Sequence, residues 1–241
     1  IDEDFEADPR VIPGARRFPF DEITALVPEL AGNMVVIICQ KGLKLSAGAS
    51  AWLRAEGVDA RYLQGGNFAW RDSGGPLIPF ETMPNVERCN QSVWVASNQR
   101  RISIIACAWL IRRFVDRDAR FLFVSPSQID PVAEKFAATP IKGSKGESPC
   151  LFMTMLDRFH LRTGPLLKIS SIVHAIENRE FKKVREAGGV FAVLDNLSNM
   201  YVDDIEYLEA SLLVHDALYR WACNAGESDL SLNGAEEVER S

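Results

Sequence analysis

The stretch from Met34 to Gly57 constrains the fold more than any other part of the chain. Met34-Val35-Val36-Ile37-Ile38-Cys39 is a short, unbroken apolar run rich in β-branched residues, which predicts a buried strand of a parallel sheet covered on both faces. The loop Gln40-Lys41-Gly42-Leu43-Lys44-Leu45 follows, and Ser46 is placed to N-cap a helix that Gly57 ends as its C′ residue. One thiol therefore sits at the carboxyl end of a strand, beneath a loop that leads into a helix N-terminus. Inward-pointing amides and the helix dipole suit an anion or a thiolate at that point.

The flanking sequence is a small α/β pattern. Asp21 to Leu30 predicts a short helix broken near Pro28, Val58 to Leu63 a second strand, and Gly65-Gly66 a turn. Pro and Gly then accumulate, and residues 76–91 are expected to form a linker. In the following stretch, Ser92 to Ala96 and Arg120 to Val124 predict strands. Arg101 to Val115, apolar almost all round, predicts a buried helix. Thr139 to Pro149 reads as a loop, and helices are expected near Leu151 to Phe159, Pro165 to Glu177, Gly189 to Leu197 and Asp203 to Cys223. Residues 224–241 are acidic with little to bury and are expected to be a flexible tail.

Charge and cysteine usage narrow the function classes. A net charge of -6 argues against a general nucleic-acid or anionic-membrane binder, Arg100-Arg101 and Arg112-Arg113 being local exceptions. No apolar run reaches the ~18 residues of a membrane span. Five scattered cysteines without a CxxC pair favour free thiols in a reducing compartment, so the cytoplasm is expected.

Two families are visible in the residues. Phe5, Ile12-Pro13-Gly14-Ala15, the strand into Cys39, the loop Cys39-Gln40-Lys41-Gly42, and Leu63-Gln64-Gly65-Gly66 ahead of Trp70 together resemble the rhodanese (sulfurtransferase) domain. The resemblance begins after that family's first strand, has Val11 where the family usually has His, and carries a loop about one residue longer. Residues 92–223 resemble the chromate-resistance protein family, the C-terminal domain of chromate-operon regulators. That likeness is carried by Ile105-Ala106-Cys107-Ala108-Trp109-Leu110-Ile111-Arg112-Arg113-Phe114, Phe121-Leu122-Phe123-Val124, Gly146-Glu147 with Cys150, and Asp216-Ala217-Leu218-Tyr219. Ala108 replaces a usual Pro, and Lys145 a usual His.

The resemblances imply a rhodanese-like α/β domain over residues 1–75, with a parallel sheet flanked by helices. They imply a mainly α-helical domain with a few strands over residues 92–223. They also imply a sulfurtransferase in which Cys39 carries a persulfide taken from a thiosulfate-type donor, in a chromate-resistance setting. The anion-binding loop would be Gln40, Lys41, Gly42, Leu43, Lys44, Leu45 and Ser46. Phosphatase-like chemistry would want arginine at position 45, where Leu45 stands. The alternative function is a non-enzymatic chromate or sulfate sensor. No cofactor or metal is expected; Cys150, His174 and His215 are the metal candidates by residue type, without ligand-like spacing. Cys107, on an apolar helix, reads as a buried structural thiol.

Overall fold

The computed structural model describes residues 2–84, 91–142 and 150–238, with side chains to residue 224. The chain divides into two compact units, Ile1–Met83 and Pro84–Ser241.

The first unit opens with helix α1 (Asp2–Ala7) and strand β1 (Arg10–Val11), followed by a 3-10 turn at Phe20–Leu26 that runs into α2 (Val27–Leu30). Pro28 lies in the first turn of α2, where its missing N–H costs nothing, so it starts a helical segment instead of breaking one. Strand β2 (Met34–Ile37), helix α3 (Lys44–Ala55) and strand β3 (Asp59–Tyr62) form a parallel β-α-β unit with Met34 opposite Asp59 and Ile37 opposite Tyr62. Helix α4 (Gly66–Asp72) and strand β4 (Ile78–Pro79) follow. Gly57, at φ +85°, ends α3 as expected. Its N–H reaches Arg54 O and that of Val58 reaches Leu53 O, the paired bonds of a Schellman stop.

Two expectations fail here. Strand β2 is covered on one face only. Val35 and Ile37 pack with Leu53, Val58 and Ala60, while Met34 is 60% and Val36 48% exposed. A continuous apolar run cannot report whether a second layer lies over it. Residues 76–83 do not form a linker: β4 pairs antiparallel with β1, Ile78 is fully buried, and Phe80 meets the Phe5 ring edge-on at 5.1 Å. Two-residue strands leave too short a pattern for periodicity to register.

The second unit is built on β5 (Val93–Ser97), which lies between β6 (Arg120–Val124) and β7 (Thr139–Ile141), all parallel. As the middle strand, β5 buries both faces, including Trp94, Val95 and Ala96. Helix α5 (Ile102–Leu110) leaves β5, is buried on every side, and continues through a π-helical turn at Ile111–Val115. A 3-10 turn at Pro126–Gln128 leads into α6 (Ile129–Phe136), whose Ile129, Val132 and Ala133 cover the Val95 face of the sheet. Four helices follow: α7 (Leu151–Arg158), α8 (Gly164–Glu177), α9 (Ala187–Met200) and α10 (Asp204–Val238). Ile102 of α5, Ile172 and Ile176 of α8, and Ala187 and Leu194 of α9 share one core cluster.

Two corrections apply to this unit. Thr139–Ile141 is a strand paired with Trp94–Ala96, not a loop, because the buried edge of β5 supplies the partner that three residues could not announce. The backbone of α10 continues to Val238 across the segment expected as a flexible tail. A helix nucleated by its packed half gains one hydrogen bond for each residue added. No helix among the described residues is long and apolar enough to cross a membrane.

Candidate functional site

Cys39 follows β2 at the mouth of a loop clamped by backbone contacts from the start of α4. Asn67 N–H donates to Cys39 O and Phe68 N–H to Gln40 O, both at 3.1 Å, and Leu63 N–H holds Ile37 O at 3.1 Å. This clamp needs glycine at two points. Gly42 has φ +63° and Gly66 φ +58°, backbone that other residues rarely adopt. A Cβ on Gly66 would stand 2.0 Å from Cys39 O, and one on Gly42 2.4 Å from the N atoms of Gly65 and Gly66. The loop that carries the cysteine and the Gly65-Gly66 turn are thus one interlocked piece.

Within that piece the thiol is half-buried and lies against donors. Its Sγ–H donates to Ser46 Oγ at 3.3 Å, and Ser46 Oγ donates to Leu43 O at 3.3 Å. Burial pushes the Cys39 thiol up. The Ser46 hydroxyl and the N–H groups of Ser46, Leu43 and Gly42 act the other way and prevail, holding it below the ordinary cysteine value. On ionisation the Ser46 hydroxyl is free to turn and donate to the thiolate. The helix contributes one first-turn amide, that of Ser46, and Ser46 is not its N-cap. Helix α3 starts two residues earlier behind Leu43, with no side-chain cap, and Ser46 instead sits inside the first turn, under the sulfur.

The remaining loop residues divide by role. Lys41 and Lys44 are exposed beside the cysteine, and among the described residues neither makes an ion pair. Leu43 is exposed, Leu45 half-buried and Gly42 buried. Gln40 does not join the thiol: its side-chain amide donates to Asp4 O and Asp8 O at 3.0 and 3.2 Å, tying α1 to the loop. The residues that sequence reasoning passed over are Asn67 and Phe68, whose contribution is main-chain N–H and carries no side-chain signature. Gly65-Gly66 was visible as a turn; its role as the clamp was not.

The structure does not bring Cys150, His174 and His215 together. Cys150 precedes α7, His174 is exposed on α8 next to Asn178, and His215 is buried on α10 with Nδ1 2.9 Å from Ser211 O and its ring stacked on Trp109. Among the described residues no group of three or more His, Cys, Asp or Glu side chains is arranged to hold a metal ion. The basic pairs are also engaged. Arg100 donates to Asp204, Ser198 O and Tyr201 O, Arg101 binds Glu177, Arg112 reaches Glu209, and Arg113 grips Asp216 with two bonds of 2.8 Å. These arginines fasten α8, α9 and α10 to the rest of the second unit. Cys107 is fully buried, and burial raises its thiol well above the ordinary value.

The second unit is an α/β domain: a short parallel sheet with its order turning about the central strand, wrapped by helices of which one is buried throughout. Its family is given by comparison. The family model for the ChrB C-terminal domain matches residues 94–222, more than half of the chain, and the chain belongs to that family, which is linked to chromate resistance. No curated protein and no solved structure matches it.

Proposed function

We propose that the first unit is a rhodanese-like sulfurtransferase acting in chromate resistance, with Cys39 as the persulfide carrier. The observation that supports this best is the donor cradle around Sγ. The Ser46 hydroxyl and three main-chain N–H groups favour the anionic sulfur over the thiol, and sulfur transfer needs an anion in this cradle in both resting states, on Sγ in the thiolate and on the outer sulfur in the persulfide.

The chemistry balances without a cofactor. The Cys39 thiolate attacks the outer sulfur of thiosulfate. A new S–S bond forms, the old S–S bond breaks, and sulfite leaves with the electron pair. The terminal sulfur of the resulting persulfide carries one negative charge, which the cradle stabilises as it did the thiolate. An acceptor nucleophile such as cyanide then takes that sulfur, forming thiocyanate and restoring the thiolate. Lys41 and Lys44, exposed beside the loop, draw the dianionic donor in and hold sulfite as it departs. The free thiols at Cys39, Cys107, Cys150 and Cys223 fit a reducing compartment such as the cytoplasm.

The test is thiosulfate:cyanide transfer by the full chain, with thiocyanate as the readout and intact mass to detect the added sulfur. Thiocyanate formation with a Cys39 persulfide, both lost in Cys39→Ala, is the expected result. Turnover that persists in Cys39→Ala, or a wild-type chain that never acquires sulfur, defeats the proposal.

A further inference from the structure

Helix α10 leaves one of its faces open. It packs on α5, α8 and α9, and Tyr207, Leu208, Ser211, Leu212 and His215 are buried there. The outward residues recur at helical spacing. Glu206, Glu209, Leu213, Ala217 and Arg220 are all exposed, and at about 100° per residue they fall in a stripe about 80° wide. Leu213 stands at the centre of that stripe and is 74% exposed. Phe136 apart, every large apolar side chain exposed in the second unit, among the described residues, lies on α9, on α10 or in the turn between them. A single exposed leucine is ordinary, but such a concentration on one pair of helices points to a contact surface.

The charges on this stripe are arranged about Leu213. Glu206 lies seven residues before it and Arg220 seven residues after, and among the described residues neither makes an ion pair. Fourteen residues of helix span about 21 Å, so the two cannot reach each other within one chain. Glu209, four residues before Leu213, is held by Arg112 of its own chain at 2.5 Å. The position four residues after is Ala217, uncharged and small enough for a second helix to come close. A second copy of α10 laid antiparallel, Leu213 on Leu213, sets each Glu206 opposite the Arg220 of the other copy and each Glu209 opposite Ala217. A parallel copy would set Glu206 on Glu206 and Arg220 on Arg220. The stripe is thus complementary to itself under a two-fold axis, as an interface between identical subunits must be.

We propose that the exposed stripe of α10 is a self-association surface, on which a second copy of this chain docks antiparallel about a two-fold axis at Leu213, with a Glu206–Arg220 pair at each end. Leu213 and Ala217 supply the apolar centre. The ion pairs, exposed to water, add little affinity; they fix the direction and register of the two helices. One pair of helices buries less surface than a standard interface, so the dimer is a weak one that forms at micromolar concentrations. The contact uses no residue of the first unit and stands or falls independently of sulfur transfer at Cys39.

Sedimentation velocity of the full chain from ~1 to ~500 μM, with a reductant present so that free thiols cannot link two copies, reads the association directly. The wild-type chain is expected to become dimeric toward the upper end. Leu213→Lys, at an exposed position, should weaken the dimer about tenfold or more. Glu206→Arg and Arg220→Glu each set like charges at both ends of the contact and should each weaken it by about tenfold, whereas the chain carrying both exchanges should return to within about threefold of wild type. Glu206→Arg moves the net charge from -6 to -4, so a change in general repulsion alone would strengthen association instead. Urea unfolding of each variant checks that the fold survives. A wild-type chain that stays monomeric throughout overturns the proposal and leaves the stripe to a different partner. So does association that Leu213→Lys leaves unchanged, or a double exchange that associates no better than the single ones.

Discussion

Cys39 and Cys150 occupy comparable positions in the two units. Each precedes a helix, and each sulfur receives main-chain N–H groups from around that helix's start. Their acidities nonetheless move in opposite directions. Burial raises the Cys150 thiol and outweighs the amides of Phe152 and Met153. At Cys39 the same kind of amides, joined by the Ser46 hydroxyl, outweigh a milder burial. A helix N-terminus is therefore not enough to make a cysteine reactive. Desolvation of the anion competes with every donor aimed at it, and the outcome follows how much water the fold leaves in place.

The most damaging way to test that contrast is to move the Cys39 loop without touching its chemistry. Gly66→Ala forces a Cβ to within 2.0 Å of Cys39 O on a backbone with positive φ, so the loop must shift. Thiosulfate:cyanide turnover is expected to fall by about 100-fold or more, the usual consequence of an ångström-scale misplacement at a reacting centre. Turnover within a few-fold of the parent would show that the clamp does not position the thiol.

A gentler measurement compares the two thiols directly. Iodoacetamide labelling followed by peptide mass mapping, run across pH 5 to 10, should modify Cys39 at lower pH than Cys150, with Cys107 the slowest of the three. Ser46→Ala should shift the Cys39 profile to higher pH and leave that of Cys150 where it was. An unchanged Cys39 profile in Ser46→Ala would leave only the main-chain amides to account for its acidity.

The smallest effect separates the units by acid stability. All three histidines lie in the second unit, and burial lowers the pKa of His215 below the ordinary value of about 6.5. A histidine depressed in the folded state contributes stability above the unfolded value. That contribution is lost as pH falls from about 6.5 through the lowered folded value, because the unfolded chain takes up the proton first. Asp216, its pKa lowered by the bidentate Arg113, acts only further down, in the carboxylate range. Urea unfolding followed by the fluorescence of Trp94 and Trp109 should weaken over the histidine window. His215→Phe, which keeps the ring against Trp109, should flatten that window and leave the carboxylate range unchanged.

Much of this molecule was legible in its residues. The parallel β-α-β unit around Cys39, the stop at Gly57, the wholly buried helix through Cys107 and two strands of the second unit's sheet all follow from runs of apolar residues and the glycines that end them. Other features escaped because their cause lies in a distant partner. Strand β7 and the β1–β4 pair are too short to show a period and exist because another edge accepts them. The exposed face of β2 depends on what packs over it, which an apolar run does not encode.

The site divides along the same line. By itself the sequence determined that one thiol would end a strand and that a helix would start close behind it, since strand, turn and helix propensities are local. Only the tertiary structure decided that Gln40 braces α1, that Ser46 sits under the sulfur, and that the amides of Asn67 and Phe68 hold the loop. It also decided that Glu177 would meet Ser103 across more than seventy residues of chain. Main-chain donors and long-range partners carry no residue signature; they come into being when two segments are brought within hydrogen-bond distance.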